Sequence, residues 1–145
     1  MTPEEIEQRV ARALELHTEG YNCAQAVSAS LSDYVSVPEE DLFRLAEGFG
    51  GGMGGFSETC GALSGGVLVL GCSNSDGPQN PKTKGSTYKL TRQLVESFKA
   101  QNGSSLCSEL KGLSHGPALR SCPDCIADGV RMTIAILDEA GKKPL

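Results

Sequence analysis

The sequence of 145 residues contains no tryptophan, and only 5% of its residues are aromatic. A core must therefore be built from leucine, valine, isoleucine and alanine. Apolar residues make up 39% of the chain, which is enough for a modest core and too many for a disordered chain. Two independent cores would each be too small at this length, so we expect one domain over residues 1–145.

The chain also lacks an excess of positive charge and a long apolar segment. Lys and Arg number 13 against 18 Asp and Glu, so the formal net charge is −5. An acidic chain has no broad positive field for phosphate backbones, which argues against a nucleic-acid partner. Its best apolar run, residues 62–72, is too short for a membrane helix, and its acidic N-terminus is unlike a secretion signal. The sequence therefore predicts a cytoplasmic protein that does not bind membranes.

Glycine and cysteine, by contrast, are abundant. The 18 glycines are about 12% of the chain, against a usual share of roughly 7%, and they show no collagen period. Six cysteines are present. Thiols are normally kept reduced in the cytoplasm, so six of them point to metal or redox chemistry more than to structural disulfides.

Apolar residues recur at helical spacing along most of the chain, which predicts an all-α bundle of five or six helices. Thr2 and Asn22 are suited to cap the first two helices, and the second is expected to extend to about Val35. Residues 50–55 contain five glycines, so they are expected to form an irregular loop.

One predicted helix stands out because it is apolar nearly all round. It is expected to begin at a Ser57 cap, with Cys60 in its first turn, and to run to Cys72. Such a helix is typically buried, and its glycines would let neighbouring backbones come close. A short strand over residues 67–70 is the alternative reading.

The cysteines lie at predicted helix starts. Cys23, Cys60 and Cys122 each follow or occupy a capping position, and Cys107 begins a short helical turn. Backbone N–H groups and the helix dipole at such positions stabilise a thiolate, the reactive and metal-binding form. Cys122 is expected at the cap itself, and together with Cys125 it forms a Cys-x-x-Cys pair.

Other candidate residues carry weaker signals. A Gly-x-Gly-x-x-Gly pattern in the loop, followed by Asp76, formally fits a dinucleotide fingerprint, but a helix precedes it where a strand is required. Cys72 is expected to be a small buried hydrophobe at the end of its helix. Of the two histidines, His17 is expected to be exposed or to cap its helix, and His115 is expected to be solvated. Asp124 and Asp128 are expected on one side of the last helix, and Glu58 is expected in the first turn of its helix. Asp124 or Glu58 could alternatively transfer a proton to a thiol.

Three blocks of the sequence resemble a known family. These blocks are Gly20-Tyr-Asn-Cys23-Ala-Gln-Ala-Val27, Gly48-Phe-Gly-Gly-Gly-Met-Gly54 and Thr59-Cys60-Gly-Ala-Leu-Ser-Gly-Gly66. They are similar to the C-GCAxxG-C-C family of redox-active proteins. The resemblance implies a small helical bacterial protein, often of anaerobes, with hallmark cysteines at Cys23, Cys60, Cys107 and Cys122. A more distant similarity to the non-haem part of split-Soret cytochromes suggests an iron–sulfur cluster, whereas no haem attachment motif is present.

Three hypotheses of function follow. In the first, the four hallmark cysteines bind one metal centre for electron transfer, which would be an iron–sulfur cluster or, alternatively, zinc. The backbone at Gly52 and Gly54 would then donate N–H groups to the bound sulfur. In the second, Cys122 and Cys125 act in a metal-free thiol–disulfide oxidoreductase. In the third, the protein is a helical module with structural zinc that binds a redox or transport protein. A redox protein partner and a homodimer are expected as interaction partners.

Overall fold

A computed structural model of the protein describes residues 1–113 and 116–145. Within them the chain forms seven α-helices and no strand, so the all-α prediction is confirmed and the predicted count of five or six is too low. The helices are α1 (Pro3–Thr18), α2 (Cys23–Ser30), α3 (Glu39–Glu47), α4 (Gly61–Asn74), α5 (Lys84–Asn102), α6 (Cys107–Leu110) and α7 (Cys122–Glu139). None of the helices in these two ranges combines the length and the apolar character needed to cross a bilayer.

The first two helices begin where the sequence predicts. The Thr2 hydroxyl accepts a hydrogen bond from the Glu5 amide, and Asn22 forms a reciprocal capping box with Gln25. The end of α2 differs from the prediction, because the helix stops at Ser30 and a short 3₁₀ turn follows. Ser28 and Ser30 donate their hydroxyls to carbonyls of the preceding turn. Such bonds compete with the regular helical ladder and favour an early end.

Helix α4 lies at the centre of the fold, as predicted, and packs against α2, α5 and α7. A Cβ atom at Gly65 would lie 2.7 Å from the Ala24 carbonyl oxygen of α2. A Cβ atom at Gly129 in α7 would lie 2.6 Å from the Ala62 carbonyl oxygen of α4. Glycine therefore lets three backbones approach more closely than side chains would allow. Residues 67–70 are helical, so the strand alternative is wrong.

The two ends of α4 correct the sequence prediction. Its N-cap is Cys60, three residues after the predicted cap, because Thr59 pairs with Leu106 in an isolated antiparallel bridge. At the other end Cys72 is exposed and is not a buried hydrophobe. It lies two residues after the fully buried Leu70, which places it on the opposite side of the helix.

The glycine-rich segment before α4 is irregular, as expected. Gly52–Phe56 form one wide turn that is interrupted by left-handed residues. Two of these are not glycines, since Met53 has φ of 65° and Phe56 has φ of 58°. Such values are uncommon for side chains of this size, so the segment holds a strained conformation.

Candidate functional site

Five of the six cysteines line one cavity of about 300 Å³, and Cys72 lies outside it. We call this space the cysteine cavity. Its lining residues are His17, Asn22, Cys23, Gly51, Gly52, Phe56, Cys60, Gly61, Cys107, Leu110, Lys111, Arg120, Cys122 and Cys125.

Helix starts position the thiols. Cys23, Cys107 and Cys122 are the first residues of α2, α6 and α7, and Cys60 is the N-cap of α4. The cap of α7 is Ser121, whose hydroxyl accepts from the Asp124 amide, so Cys122 lies one position later than predicted. Cys125 follows one turn further along α7. Four helix N-termini therefore each carry a cysteine, and the helix dipole at such a position favours the thiolate form.

A short antiparallel pairing joins Cys60 to Cys107. The Cys60 amide donates to the Ser105 carbonyl at 2.8 Å, and the Cys107 amide donates to the Glu58 carbonyl at 2.8 Å. The Glu58 side chain itself is exposed, so only its backbone contributes here. This pairing holds together two cysteines that are 47 positions apart in the sequence.

A second set of contacts fixes Cys23 beside α4. The Asn22 side-chain amide donates to the Glu47 carbonyl at 2.9 Å, which ties the start of α2 to the end of α3. A Cβ atom at Gly61 would lie 3.1 Å from the Cys23 Cβ and 3.1 Å from the Ala24 nitrogen. Gly61 therefore lets the start of α4 come directly against the start of α2.

The two glycines predicted to contact a cofactor differ in position. Gly52 lines the cavity with φ of 55°, and a Cβ atom there would lie 2.5 Å from the Cys107 Cβ. Only glycine fits both the conformation and the space. Gly54 is exposed with nothing within 4 Å of its Cβ direction, and it does not line the cavity.

The thiols of Cys122 and Cys23 interact directly. A hydrogen bond from Cys23, assisted by Lys111 and the nearby His17 and opposed by burial, lowers the pKa of Cys122 to about 5. The same hydrogen bond, together with burial, raises the pKa of Cys23. At neutral pH Cys122 is therefore the thiolate of this pair and Cys23 the thiol.

A second pair consists of Cys60 and Cys125. A hydrogen bond from Cys125 lowers the pKa of Cys60 against the effect of burial, and the Ala62 and Leu63 amides add to the lowering. The pKa of Cys125 is raised by that bond and by burial. Burial also raises the pKa of Cys107. The largest effect on the pKa of Cys122 thus comes from Cys23, and the largest effect on the pKa of Cys60 comes from Cys125.

Three cationic or titratable nitrogen-bearing side chains also line the cavity, and the sequence analysis missed them as a group. Lys111 interacts with the Cys122 thiolate, and its ammonium lies 5.2 Å from the centre of the Phe56 ring.

Arg120 donates two hydrogen bonds of 3.1 Å to the buried Asp128. His17 lines the cavity, which corrects its expected role as an exposed or capping residue. No spacing motif links these residues to the cysteines, so only proximity along the chain to Cys107, Cys122 and Cys23 could have suggested them.

The acidic candidates lie away from the cavity lining. Asp128 is 3% exposed and accepts from Gln101 as well as from Arg120, so it anchors a cavity-lining residue from inside the core. Asp124 is exposed, and its backbone amide donates to the hydroxyl of the Ser121 cap. Asp76 is exposed and accepts from the Asn80 side chain. His115 is outside the described residues.

The thiols do not converge on one point. Across residues 1–113 and 116–145, no group of three or more His, Cys, Asp or Glu side chains is placed to hold a single metal ion. Around one zinc ion, four thiolates with Zn–S bonds of 2.3 Å would stand about 3.8 Å apart. The five cysteines line a cavity of about 300 Å³, and the donors that they offer are sulfur atoms.

Comparison with known proteins agrees with this thiol-rich site. A family described as "Putative redox-active protein (C_GCAxxG_C_C)" matches residues 21–136, which is four fifths of the chain. The protein belongs to the C_GCAxxG_C_C family. The resemblance drawn from the sequence is therefore confirmed, and the matched region contains all five cavity cysteines.

One relative extends the match to nearly the whole chain. An uncharacterized protein of Archaeoglobus fulgidus is 27% identical over 147 aligned positions, which cover 94% of this chain and 97% of the relative. No solved structure matches the chain at a significant level.

Proposed function

We propose that this member of the C_GCAxxG_C_C family is an electron-transfer protein whose cysteine cavity binds an iron–sulfur cluster. The observation that carries the proposal is the convergence of five thiols, from four helix starts, on one cavity. A bound cluster would supply one-electron chemistry at a potential set by its surroundings. Cys23, Cys60, Cys107 and Cys122 are the proposed ligands.

Thiolate sulfur is the usual ligand of an iron–sulfur cluster. A cluster distributes its thiolate ligands over several irons, so the ligands need not meet at one point. The pKa of about 5 makes Cys122 a thiolate before any metal arrives, and the lowered pKa of Cys60 makes that thiol easier to ionise.

Other lining residues suit a cluster site. Lys111 and Arg120 place positive charge beside the thiolates and offset their mutual repulsion. Phe56 and Leu110 supply apolar walls that limit the access of water to the cavity. Gly52 brings backbone close to Cys107, where amide groups and low polarity would tune the potential.

Anaerobic purification tests the proposal, with the visible absorption spectrum, iron and acid-labile sulfide measured on the same sample. We expect broad visible bands and equal amounts of iron and sulfide. Serine variants of Cys23, Cys60, Cys107 and Cys122, one at a time, should lose most of the iron. Cys72→Ser is the matched control, since Cys72 is an exposed thiol outside the cavity and should retain full iron content.

Two outcomes would overturn the cluster. Wild-type protein that takes up neither iron nor sulfide, even after chemical reconstitution, would contradict it. So would full iron content in all four cavity variants. If the Cys107→Ser variant retains its iron and the Cys125→Ser variant loses it, the proposed cluster stands, and Cys125 replaces Cys107 as its fourth ligand.

A second candidate function is metal-free thiol–disulfide exchange, which the Cys23–Cys122 pair favours. Cys122 is a thiolate at neutral pH, and Cys23 is a thiol within hydrogen-bonding reach. The Cys122 thiolate would attack a disulfide of a partner protein and release one partner thiolate. Cys23 would then lose its proton, attack the mixed disulfide and release the second thiolate, which leaves a Cys23–Cys122 disulfide and a reduced partner.

Equilibration of metal-free protein in glutathione buffers, followed by mapping of disulfides by mass spectrometry, tests this candidate. Thiol–disulfide exchange predicts one reversible Cys23–Cys122 disulfide with a defined midpoint. A Cys122–Cys125 disulfide would instead support the pair predicted from the sequence. Thiols that stay reduced throughout the accessible range would exclude both pairs.

A further inference from the structure

Phe56 is a large apolar side chain that the fold places at the cysteine cavity instead of in the helical core. It is 47% exposed, and among the exposed large apolar side chains of the described residues it is the one that lines this cavity. Its φ of 58° lies in the left-handed region, which costs free energy for a residue of this size. Core burial does not account for this conformation, which points to a local role at the cavity.

Two contacts fix the position of the Phe56 ring. A Cβ atom at Gly51 would lie 3.4 Å from the Phe56 Cε1 atom, so the ring packs against the Gly51 backbone. The Lys111 ammonium lies 5.2 Å from the ring centre, which is within the range of a cation–π contact. The left-handed backbone of Phe56 thus brings an aromatic ring to a lysine from a distant part of the sequence.

The short helix α6 directs Lys111 to the cavity. Lys111 follows Cys107 by one helical turn, and its amide donates to the Cys107 carbonyl at 2.9 Å, so both side chains lie on one face of the turn. Lys111 lines the cavity and interacts with Cys122. None of the ion pairs in the described part of the chain includes Lys111, whereas Arg120 is paired with Asp128. The charge of Lys111 is therefore available to the sulfur atoms.

We propose that Phe56 is a positioning residue of the redox site, whose ring holds the Lys111 ammonium beside the Cys122 sulfur. The inference rests on the proposed redox function, in which Cys122 is a cluster ligand or an attacking thiolate. A lysine side chain is long and flexible, so a ring that binds its ammonium keeps the charge at the cavity. A positive charge there stabilises the reduced, more negative state of the site and attracts anionic reactants to the sulfur.

Five variants separate the ring from the charge. Phe56→Leu removes the ring and keeps an apolar side chain under similar backbone strain, whereas Phe56→Tyr keeps the ring. Lys111→Met removes the charge, and the Phe56→Leu/Lys111→Met double variant tests whether the ring acts through the lysine. Phe49→Leu is the matched control, since Phe49 is an exposed aromatic residue of the same glycine-rich stretch that does not line the cavity. The thermal unfolding midpoint of each variant shows whether it is folded.

The charge beside Cys122 is measured in reduced, metal-free protein by alkylation at pH 8 and low ionic strength. Iodoacetate is an anion and iodoacetamide is neutral. Both react with the thiolate, so the ionised fraction cancels in the ratio of their rates at Cys122, which mass spectrometry determines. We expect Lys111→Met to lower this ratio about threefold and Phe56→Leu to lower it about twofold. Phe56→Tyr and Phe49→Leu should equal the wild type, and the double variant should equal Lys111→Met.

Three results would overturn the inference. An unchanged ratio in Lys111→Met would show that the ammonium does not lie beside Cys122. An unchanged ratio in Phe56→Leu would show that the ring does not hold the charge in place. A ratio in the double variant about twofold below that of Lys111→Met would show that the ring acts on Cys122 without the lysine.

The reduction potential of reconstituted protein gives a second readout. Phe56→Leu and Lys111→Met should shift the potential to more negative values, and Phe49→Leu should leave it unchanged. An unchanged potential in Phe56→Leu would contradict the effect on the bound centre. Wild-type protein that takes up neither iron nor sulfide would refute the proposed cluster, and the alkylation ratios would still decide the role of Phe56.

Discussion

The helical core and the cysteine cavity are built on opposite principles. In the core, glycines of α4 and α7 let backbones meet, so that a Cβ atom at Gly65 or Gly129 would overlap a carbonyl oxygen. In the cavity, glycines with left-handed φ turn the chain around a space of about 300 Å³. In the core, glycine thus allows close packing of helices, whereas around the cavity glycine allows the chain to turn and enclose an open space. A fold that closes its interior so tightly while keeping one cavity lined by thiols is consistent with a site that receives a bound group.

Arg120 and Asp128 join the two regions, and breaking this link should have the largest effect. Asp128 is 3% exposed, so Arg120→Met leaves a buried carboxylate with Gln101 as its remaining partner. We expect the free energy of unfolding to fall by about 3 kcal/mol. Urea unfolding followed by circular dichroism measures it.

Arg131→Met is the control for this prediction, since Arg131 makes an equally close two-bond contact with the exposed Glu7. An exposed pair of this kind contributes less than about 1 kcal/mol. Equal losses in the two variants would show that burial of Asp128 does not decide the effect.

Gly52→Ala tests the cavity side of the comparison. The new methyl group would force a left-handed conformation on a residue with a side chain and would lie 2.5 Å from the Cys107 Cβ. We expect the free energy of unfolding to fall by about 2 kcal/mol and the iron content of reconstituted protein to fall with it. Gly54→Ala is the comparison, because Gly54 also has a positive φ, of 87°, but no neighbour lies within 4 Å of its Cβ direction. Its iron content should be unchanged, and an equal loss there would contradict a specific role of Gly52.

Gly129→Ala tests the core side. Its methyl group would lie 2.6 Å from the Ala62 carbonyl oxygen, which belongs to backbone and cannot move alone. The crowding outweighs the gain in helix propensity, so we expect a net loss of about 1 kcal/mol. Gly71→Ala in α4 has open space and should instead gain about 0.5–1 kcal/mol. Differential scanning calorimetry compares the two, and a stabilised Gly129→Ala protein would show that the helices are not in close contact there.

The smallest expected change concerns the pH dependence of Cys122 in metal-free protein. Its pKa of about 5 leaves it ionised from pH 8 down to pH 6, so its rate of alkylation by iodoacetamide should change less than about twofold. Although Cys72 is exposed, partial desolvation raises the pKa of its thiol, so its rate should fall about 100-fold over the same interval. Mass spectrometry of quenched samples gives both rates in one experiment. A tenfold fall per pH unit at Cys122 would show that its thiol is not held as a thiolate.

Local pattern was sufficient to predict most of the helices. The Thr2 cap, the Asn22 capping box and the apolar character of α4 all depend on residues within one or two helical turns. Cysteines at helix starts follow from the same short-range signals. The start of α4 was predicted wrongly because a distant segment intervened, since the pairing of Thr59 with Leu106 moved that start to Cys60.

The sequence by itself thus determined most of the helices, the family and the position of cysteines at helix N-termini. The tertiary structure decided that Cys125 joins the cavity, that Cys72 does not, and that Cys122 pairs with Cys23 across almost a hundred positions of sequence. It also decided that His17, Lys111 and Arg120 line the same space. Helix caps and apolar periodicity act over a few residues and can be read along the chain, whereas hydrogen bonds between thiols depend on distances that exist only after the helices have packed.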